Sequence, residues 1–326
     1  MSTARSTPNI ALIKYWGNRH EEFRLCAGES TSMTLDGPYV DVSVEYADQF
    51  SVTSKNKQLT KQDTDRFQKT ITLIHAYLAA TPYPLLPTPL SLTIDSHIPP
   101  SIGLASSAAV FSALAKAVAA LTELPLTDEQ ISVMARLGSG SATRSIFGGY
   151  SAIRNEENLF IDGSKGWQIA DENHWLLHDI IIVPSTKEKK VGSTEGHANA
   201  SSSPHYQERL KAIGDYRQQE SIDAILSKDF EKLQVVAEED CMNMHLCMQT
   251  QTPELDYLSS ETHRIIGEIQ ELRTSEHLPV FYTMDAGPTV HLFCEPEAKE
   301  RISEYANNQE GCQVFETKTG RGTFLL

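Results

Sequence analysis

The 326-residue sequence is poor in basic residues and has no cysteine spacing of the kind that binds metal. Its 28 lysines and arginines are outnumbered by 43 aspartates and glutamates, so the formal net charge is −15. This balance argues against a nucleic-acid backbone or an anionic membrane as the main partner, although a few local cations are enough to bind a small anion. The five cysteines are dispersed and odd in number, which is typical of free thiols in a reducing compartment.

Long apolar runs and the common metal and nucleotide motifs are also missing. No run approaches the roughly 18 apolar residues that span a bilayer. Asn9 and Lys14 interrupt the only apolar stretch near the N-terminus, so we expect a cytoplasmic protein without a secretory signal. The histidines form no His-Glu-x-x-His pair and no glycine-rich loop ends in Gly-Lys-Ser/Thr, which argues against a zinc site and against a P-loop.

Hydrophobic residues make up 40% of the chain, enough for two domains or one large one. Period-two and continuous apolar patterns predict strands at residues 8–14, 39–45, 90–94, 177–183, 280–283 and 289–294. An apolar stripe predicts a helix at 104–121, and a capping box at Thr127 and Gln130 predicts another that runs through Met134. Three further helices are predicted at 204–216, 221–248 and 254–273.

The polar segment from Lys187 to Ser203 is predicted to be a mobile loop. Because strands and helices are mixed without regular alternation, we predict an α+β fold. We place one domain at residues 1–183 and a second at 184–326.

The strongest local pattern is PPSIGLASSAA at residues 99–109. A strand ends there, prolines and Gly103 turn the chain, and small residues open a helix. Free backbone N–H groups at such a helix start attract phosphate. A tightly packed helix start without a ligand would show the same small residues.

Three charged residues are candidates for chemistry, and each has an ordinary alternative. Arg144, in GSGSATRSIFGG, can bind a carboxylate or phosphate through two N–H groups, or it can be a surface arginine. Asp285, in TMDAGP, follows a strand and can point into a cleft, or it can form an Asx turn. Lys14 can hold Asp285 ionised, or it can extend along apolar surface to water.

Taken in order, NIALIKYWG, GLASSAA, GSGSATRS and MDAGP resemble the diphosphomevalonate decarboxylase family of the GHMP kinase superfamily. The matches span residues 9–289. Lesser matches are Arg66 in TDRFQKT and the loop KKVGSTEG at 189–196. The resemblance implies a GHMP kinase-like fold of two α+β domains with the active site in the cleft between them, and a homodimer.

The resemblance also implies roles for individual residues. Asp285 would be the base near a tertiary hydroxyl, Arg144 would bind the substrate carboxylate, and Lys14 would lie beside Asp285. Further substrate contacts are implied for Tyr15, Arg66, Ser139, Ser141 and Ser193. The ATP phosphates are implied to bind at Gly103, Leu104, Ala105, Ser106 and Ser107, with Mg²⁺ at Ser106.

The implied reaction is the ATP-dependent decarboxylation of mevalonate 5-diphosphate to isopentenyl diphosphate. Three alternatives stay open: a decarboxylase for mevalonate 5-phosphate, a mevalonate 3-kinase, and a non-catalytic ligand sensor. The sequence departs from the family pattern at Asn18, where lysine is usual, and at Glu29, where asparagine is usual. Asn18 lacks the positive charge of the usual lysine, and Glu29 adds a negative charge. Arg19, next to Asn18, could supply the missing positive charge.

Overall fold

The computed structural model describes residues 1–80, 89–99, 104, 106–184 and 193–326, with the side chains of 193–195 excepted. Helices and strands are mixed along these residues, which confirms the predicted α+β class. Fifteen strands are present in the described residues: β1 Ser2–Ser6, β2 Asn9–Ile13, β3 Asn18–His20, β4 Leu25–Cys26, β5 Ser30–Thr34, β6 Val40–Tyr46, β7 Ser51–Ser54, β8 Leu90–Ser96, β9 Tyr150–Asn155, β10 Ser164–Ala170, β11 His178–Val183, β12 Val280–Thr283, β13 Val290–Cys294, β14 Gln313–Lys318 and β15 Phe324–Leu325.

Ten α-helices occur in the same described ranges, together with a 3₁₀ turn at Ala200–Ser202 and a π-helical turn at Ile213–Arg217. The helices are α1 Lys61–Ala79, α2 Ser106–Leu121, α3 Asp128–Gly138, α4 Ala142–Ser145, α5 Ser193–Asn199, α6 Tyr206–Ala212, α7 Gln218–Ser227, α8 Phe230–Thr250, α9 Ser260–Glu276 and α10 Lys299–Asn307. None of the helices in the described residues is long and apolar enough to cross a membrane.

The strands form three sheets and one hairpin. The first sheet has the order β15-β1-β6-β8-β7, the second β10-β9-β5-β2 and the third β12-β13-β11-β14, while β3 and β4 pair with each other. The strand β15 belongs to the first sheet because Leu325 pairs with Ala4 in antiparallel register. The end of the chain therefore returns to its beginning.

Successive side chains of a strand point to opposite faces of a sheet. In the third sheet, apolar side chains on both faces pack against other parts of the protein. On one face Phe281 and Phe293 stack with ring centroids 5.0 Å apart and meet Phe230 of α8. On the other face Val280 and Leu292 pack with α9 and α10. Helix α8 also packs against β2, so the ends of β2 and β12 are brought together.

Most of the predicted elements are confirmed, and two predictions were wrong. The Thr127–Gln130 capping box is present and opens α3. The helix predicted over 221–248 is two helices, because Lys228 adopts the left-handed conformation at φ 56° and Asp229 then caps α8. The loop predicted over 187–203 is helical from residue 193 to 202, and residues 187–192 lie outside the described residues.

Candidate active site

The side chains of Lys14 and Asp285 form an ion pair, with Lys14 Nζ 2.8 Å from Asp285 Oδ1. Lys14 follows β2 and its side chain is only 1% exposed, whereas Asp285 lies between β12 and β13 and keeps 28% of its side chain exposed. The buried lysine therefore does not reach bulk water, and the carboxylate has one side open to a ligand.

The pKa of Asp285 is lowered below its usual value. Burial by itself raises the pKa of this carboxyl group, but the positive charge of Lys14 and its hydrogen bond, followed by His291 and Arg144, outweigh burial. The carboxylate is therefore ionised at neutral pH.

The backbone of Lys14 is fixed by a buried ion pair. Its N–H donates to Asp240 Oδ2 at 2.7 Å, and its carbonyl accepts from Arg209 Nη2 at 2.7 Å. Arg209 and Asp240 are 2.9 Å apart and both side chains are fully buried. This pair was not predicted, because Asp240 lies in an acidic run on α8 that resembles an exposed helix face.

Two histidines lie near Lys14 and Asp285 and were also missed. His291 on β13 is 2.8 Å from Asp179 of β11 through its Nδ1, and both side chains are buried. His245 on α8 is 1% exposed, and neither ring nitrogen has a hydrogen-bond partner among the described residues. Burial, with the nearby charge of Lys14, lowers the pKa of His245 to about 4, so this ring is neutral at pH 7.

Arg144 is buried in α4, so the surface-arginine alternative is wrong. Its Nε donates to Asn9 Oδ1 at 3.1 Å and its Nη1 to Ser30 Oγ at 2.6 Å. Burial lowers the pKa of Arg144, while the charge of Asp285 raises it. Both hydrogen-bond partners are neutral, which leaves the positive charge available to a ligand carboxylate. Asn9 was missed, although a polar residue within a buried strand is a recognisable signal.

A row of serine hydroxyls connects the start of α2 to the α3–α4 connection. Ser107 Oγ lies 3.2 Å from Ser139 Oγ, which lies 3.2 Å from Ser141 Oγ. Ser106 is exposed at the first position of α2, and Leu104 is buried. The predicted phosphate and substrate serines are thus brought together, while Gly103 and Ala105 lie outside the described residues.

Tyr15, the residue after Lys14, is held by three neighbours. Its ring stacks on His197 with centroids 4.4 Å apart, its hydroxyl donates to Asn18 Oδ1, and it packs against Gly140, where a Cβ would lie only 2.5 Å from the ring. His197, which was missed, accepts a 2.9 Å hydrogen bond from Gly17 N–H through Nδ1. Burial, assisted by Arg24 and Arg144, lowers the pKa of His197 to about 3, consistent with a neutral acceptor.

The remaining predicted residues have mixed placements. Arg66 donates through Nε and Nη2 to the carbonyl of Gly138, at 3.2 and 2.7 Å, and therefore lies beside Ser139. Burial, assisted by the charge of Arg24, lowers the pKa of Arg66 to about 10. Ser193 begins α5, and its side chain lies outside the described residues. Arg19, next to Asn18, donates through Nη2 to the carbonyl of Gly163.

The described part of the chain contains no group of three or more His, Cys, Asp and Glu side chains suited to a metal ion. A divalent cation that keeps its waters and is bound mainly by substrate phosphates needs no such group. The exposed Ser106 hydroxyl beside the serine row fits one ligand position for Mg²⁺ of that kind.

Comparison with known proteins agrees with this geometry. Residues 6–165 match the model of the diphosphomevalonate decarboxylase-like N-terminal domain, and residues 179–319 match the mevalonate 5-diphosphate decarboxylase C-terminal domain. A diphosphomevalonate decarboxylase of Debaryomyces hansenii is 31% identical over 98% of this chain and 86% of its own length. The chain belongs to the diphosphomevalonate decarboxylase family.

Solved structures of diphosphomevalonate decarboxylases share the fold along the whole chain. Mevalonate diphosphate decarboxylase from Staphylococcus aureus superposes with a TM-score of 0.88 and 29% identity, covering 100% of this chain and 97% of that one. A complex of MDDEF with MVAPP, AMPPCP and magnesium gives a TM-score of 0.87 and 28% identity, covering 100% and 98%. The family assignment and the GHMP kinase-like fold predicted from the sequence are confirmed.

Proposed function

We propose that the chain catalyses the ATP-dependent decarboxylation of mevalonate 5-diphosphate to isopentenyl diphosphate, CO₂, ADP and phosphate. The observation that supports this most is the Lys14–Asp285 ion pair of 2.8 Å, whose carboxylate is partly exposed while Arg144 acts on it from nearby. The reaction phosphorylates a hydroxyl and then releases a neighbouring carboxylate as CO₂. It therefore requires a base for the hydroxyl and, close to it, a cation that binds the carboxylate. Homologues of that name and a neighbour bound to MVAPP and an ATP analogue support the same activity.

Asp285 accepts the hydrogen bond of the C3 hydroxyl and orients its oxygen toward the γ-phosphate of ATP. Because the pKa of Asp285 is lowered, this carboxylate is ionised but is a weak base. Phosphoryl transfer through a loose transition state needs little early deprotonation of the nucleophile. The hydroxyl proton therefore passes to Asp285 as the new oxygen–phosphorus bond forms.

Arg144 holds the substrate carboxylate during the second step. The C3–O bond breaks, phosphate leaves and positive charge develops at C3. The bond between the carboxylate and its neighbouring carbon then breaks, and its electrons form the new double bond. The proton that Asp285 took from the hydroxyl passes to the departing phosphate, and the carboxylate, ionised again, stabilises the developing positive charge. Tyr15, Arg66, Ser139, Ser141 and Ser193 are proposed to contact the remainder of the substrate.

The ATP phosphates are proposed to bind at residues 103–107, next to the first turn of α2, which begins at Ser106. Ser106 would be a ligand of Mg²⁺, which neutralises charge on the transferring phosphoryl group when bound. Ser107 would link this site to the substrate through its hydrogen bond with Ser139.

Purified protein tests this proposal with ATP and either substrate. We expect CO₂ release from mevalonate 5-diphosphate with a higher kcat/KM than from mevalonate 5-phosphate. A preference for the monophosphate would identify a phosphomevalonate decarboxylase instead. Formation of ADP without CO₂ would indicate a mevalonate 3-kinase. If neither ADP nor CO₂ formed, the protein would be a ligand sensor.

The domain boundary at residue 184, the homodimer and the cytoplasmic location are further proposals. The two family models, which end at 165 and begin at 179, support a boundary in this region, although β15 returns to the first sheet. Five cysteines without a disulfide support a reducing compartment. Analytical ultracentrifugation tests the dimer.

Arg144→Lys should lower kcat/KM for mevalonate 5-diphosphate by at least about tenfold, because a lysine cannot reproduce the planar, two-point contact of guanidinium with carboxylate. Steady-state kinetics measures this, with Arg154→Lys as the matched control, since Arg154 is 43% exposed and pairs with Glu129. A substrate analogue without the carboxylate should lose less on the Arg144 substitution. Equal losses for both compounds would contradict the carboxylate-binding role.

Lys14→Met should move the acid limb of the kcat/KM profile to higher pH. The ion pair lowers the pKa of Asp285, so removing the cation lets burial raise that pKa and protonates the carboxylate earlier as pH falls. The same sign applies to stability: the contribution of the pair is present above the unfolded pKa of Asp285 and is lost as pH falls through the folded pKa.

The profile is measured between about pH 4 and 8, around the range where carboxylate bases titrate. Lys299→Met is the control, because Lys299 is exposed and paired with Glu316 at 2.8 Å. An acid limb at the wild-type position in the Lys14 variant would show that Asp285 does not depend on this lysine.

A further inference from the structure

The strand β12 is an edge strand of the third sheet, and helix α8 packs beside it. Two backbone N–H groups at this edge donate to side chains of the helix. Tyr282 N–H donates to Glu238 Oε1 at 3.2 Å, and Met284 N–H donates to Cys241 Sγ at 3.1 Å. Edge strands otherwise present such groups unpaired, so side chains of α8 take the place that a neighbouring strand would have.

Cys241 binds both polar groups of the Met284 backbone. Its sulfur accepts from the N–H at 3.1 Å, and its thiol donates to the carbonyl at 3.5 Å. Burial raises the pKa of Cys241, so the thiol keeps its proton at neutral pH. The ladder between β12 and β13 ends where Thr283 pairs with His291, so Met284 lies beyond it. Cys241 and Met284 are both 0% exposed, and water cannot replace these hydrogen bonds.

The residue before Cys241 fixes the other partner of the ion pair. Asp240 Oδ2 accepts from the N–H of Lys14 at 2.7 Å. Two consecutive residues of one helix therefore hold Lys14 and the residue directly before Asp285. Lys14 and Asp285 are 271 residues apart in the sequence, yet their side chains meet at 2.8 Å. A single turn of α8 links the two backbone segments that carry them.

We propose that Cys241 is a positioning residue for Asp285, and that Asp240 and Cys241 together set the geometry of the ion pair between Lys14 and Asp285. This assignment rests on the proposed function. Cys241 is fully buried and acts through the backbone of Met284. A displacement of about 1 Å at a reacting group can lower a rate by about 10²-fold. The two hydrogen bonds of Cys241 therefore affect kcat rather than the binding of ATP.

Cys241→Ala tests the proposal, because it removes both hydrogen bonds and leaves the Met284 N–H without its acceptor. We expect kcat for CO₂ release from mevalonate 5-diphosphate to fall about tenfold, the scale of a small displacement of a reacting group, while KM for ATP stays unchanged. Cys241→Ser keeps a donor and an acceptor at this position and should recover most of the loss. Cys241→Val fills the space without hydrogen bonding and should not recover it.

Cys294→Ala is the matched control. Cys294 is also 0% exposed and belongs to the same hydrophobic cluster as Cys241. It pairs with Val280, at the opposite end of the ladder between β12 and β13 from Thr283. The control removes the same sulfur atom away from Met284, so kcat should stay near wild type. Equal losses of kcat in the two alanine variants, or a serine variant as slow as Cys241→Ala, would overturn the proposal.

Hydrogen exchange of the Met284 amide tests the role of Cys241 without turnover. NMR of protein that carries ¹⁵N-labelled methionine follows this amide, whose signal is identified by its absence from Met284→Leu. Exchange should be at least about tenfold faster in Cys241→Ala than in Cys294→Ala, because the amide has lost its acceptor. Equal exchange in the two variants would contradict the proposal. If exchange depended on Cys241 but the wild-type protein released no CO₂, the decarboxylase function would be refuted and the role of Cys241 in holding Met284 would stand.

Discussion

Asp285→Asn should lower kcat for CO₂ release by about 10²–10⁴-fold, the scale of a lost general base. Asparagine keeps the size of the side chain but removes its charge and basicity. It also leaves the buried Lys14 facing an amide at the position of a 2.8 Å ion pair. Both the orientation of the substrate hydroxyl and the stabilisation of positive charge at C3 should be lost.

Single-turnover and steady-state measurements of CO₂ release test this expectation, and ATP binding should survive. Asp128→Asn is the control, because Asp128 is 53% exposed and pairs with Lys116 on the surface. Thermal unfolding of the Asp285 variant separates lost chemistry from lost folding. Activity within threefold of wild type would remove Asp285 from the mechanism.

Asp240→Ala should lower the free energy of unfolding by about 3–5 kcal/mol, as expected when one partner of a buried ion pair is removed. Arg209 would stay buried and lose its 2.9 Å partner, and the N–H of Lys14 would lose its acceptor. Because Lys14 holds Asp285, the folded fraction should also lose activity.

Urea denaturation at neutral pH measures the effect. Asp223→Ala is the control, since Asp223 is 51% exposed and pairs with Lys232 of α8, which is 36% exposed. An exposed pair of this kind contributes at most about 1 kcal/mol. Similar losses in the two variants would mean that the buried pair does not anchor Lys14.

The residues proposed to be catalytic could be selected from the sequence because each lies in a short motif. Asp285 follows a strand directly, Arg144 follows a serine cluster, and Lys14 ends an apolar strand, so local patterns identify them. Their meeting could not be derived from those patterns, since Lys14 and Asp285 are 271 residues apart. Only the resemblance to a known family placed them together.

The supporting residues could not be found in this way. Asp240 and His197 act on Lys14 and Tyr15 from distant segments. Asp240 lies in an acidic run that resembles an exposed helix face, and His197 lies in the segment predicted to be a loop. The break at Lys228 was missed because a lysine gives no signal of a left-handed backbone, although Asp229 is a common capping residue.

The pairing of β15 with β1 has a consequence for the order of folding during synthesis. The edge of β1 is covered only when Phe324 pairs with Arg5 and Leu325 with Ala4. Contacts that join the two ends of a chain are slow to form, because nearly the whole chain lies in the loop that closes. While the ribosome is still translating, the first sheet therefore keeps an open edge, and chaperones that bind exposed strands would act on the nascent chain at β1.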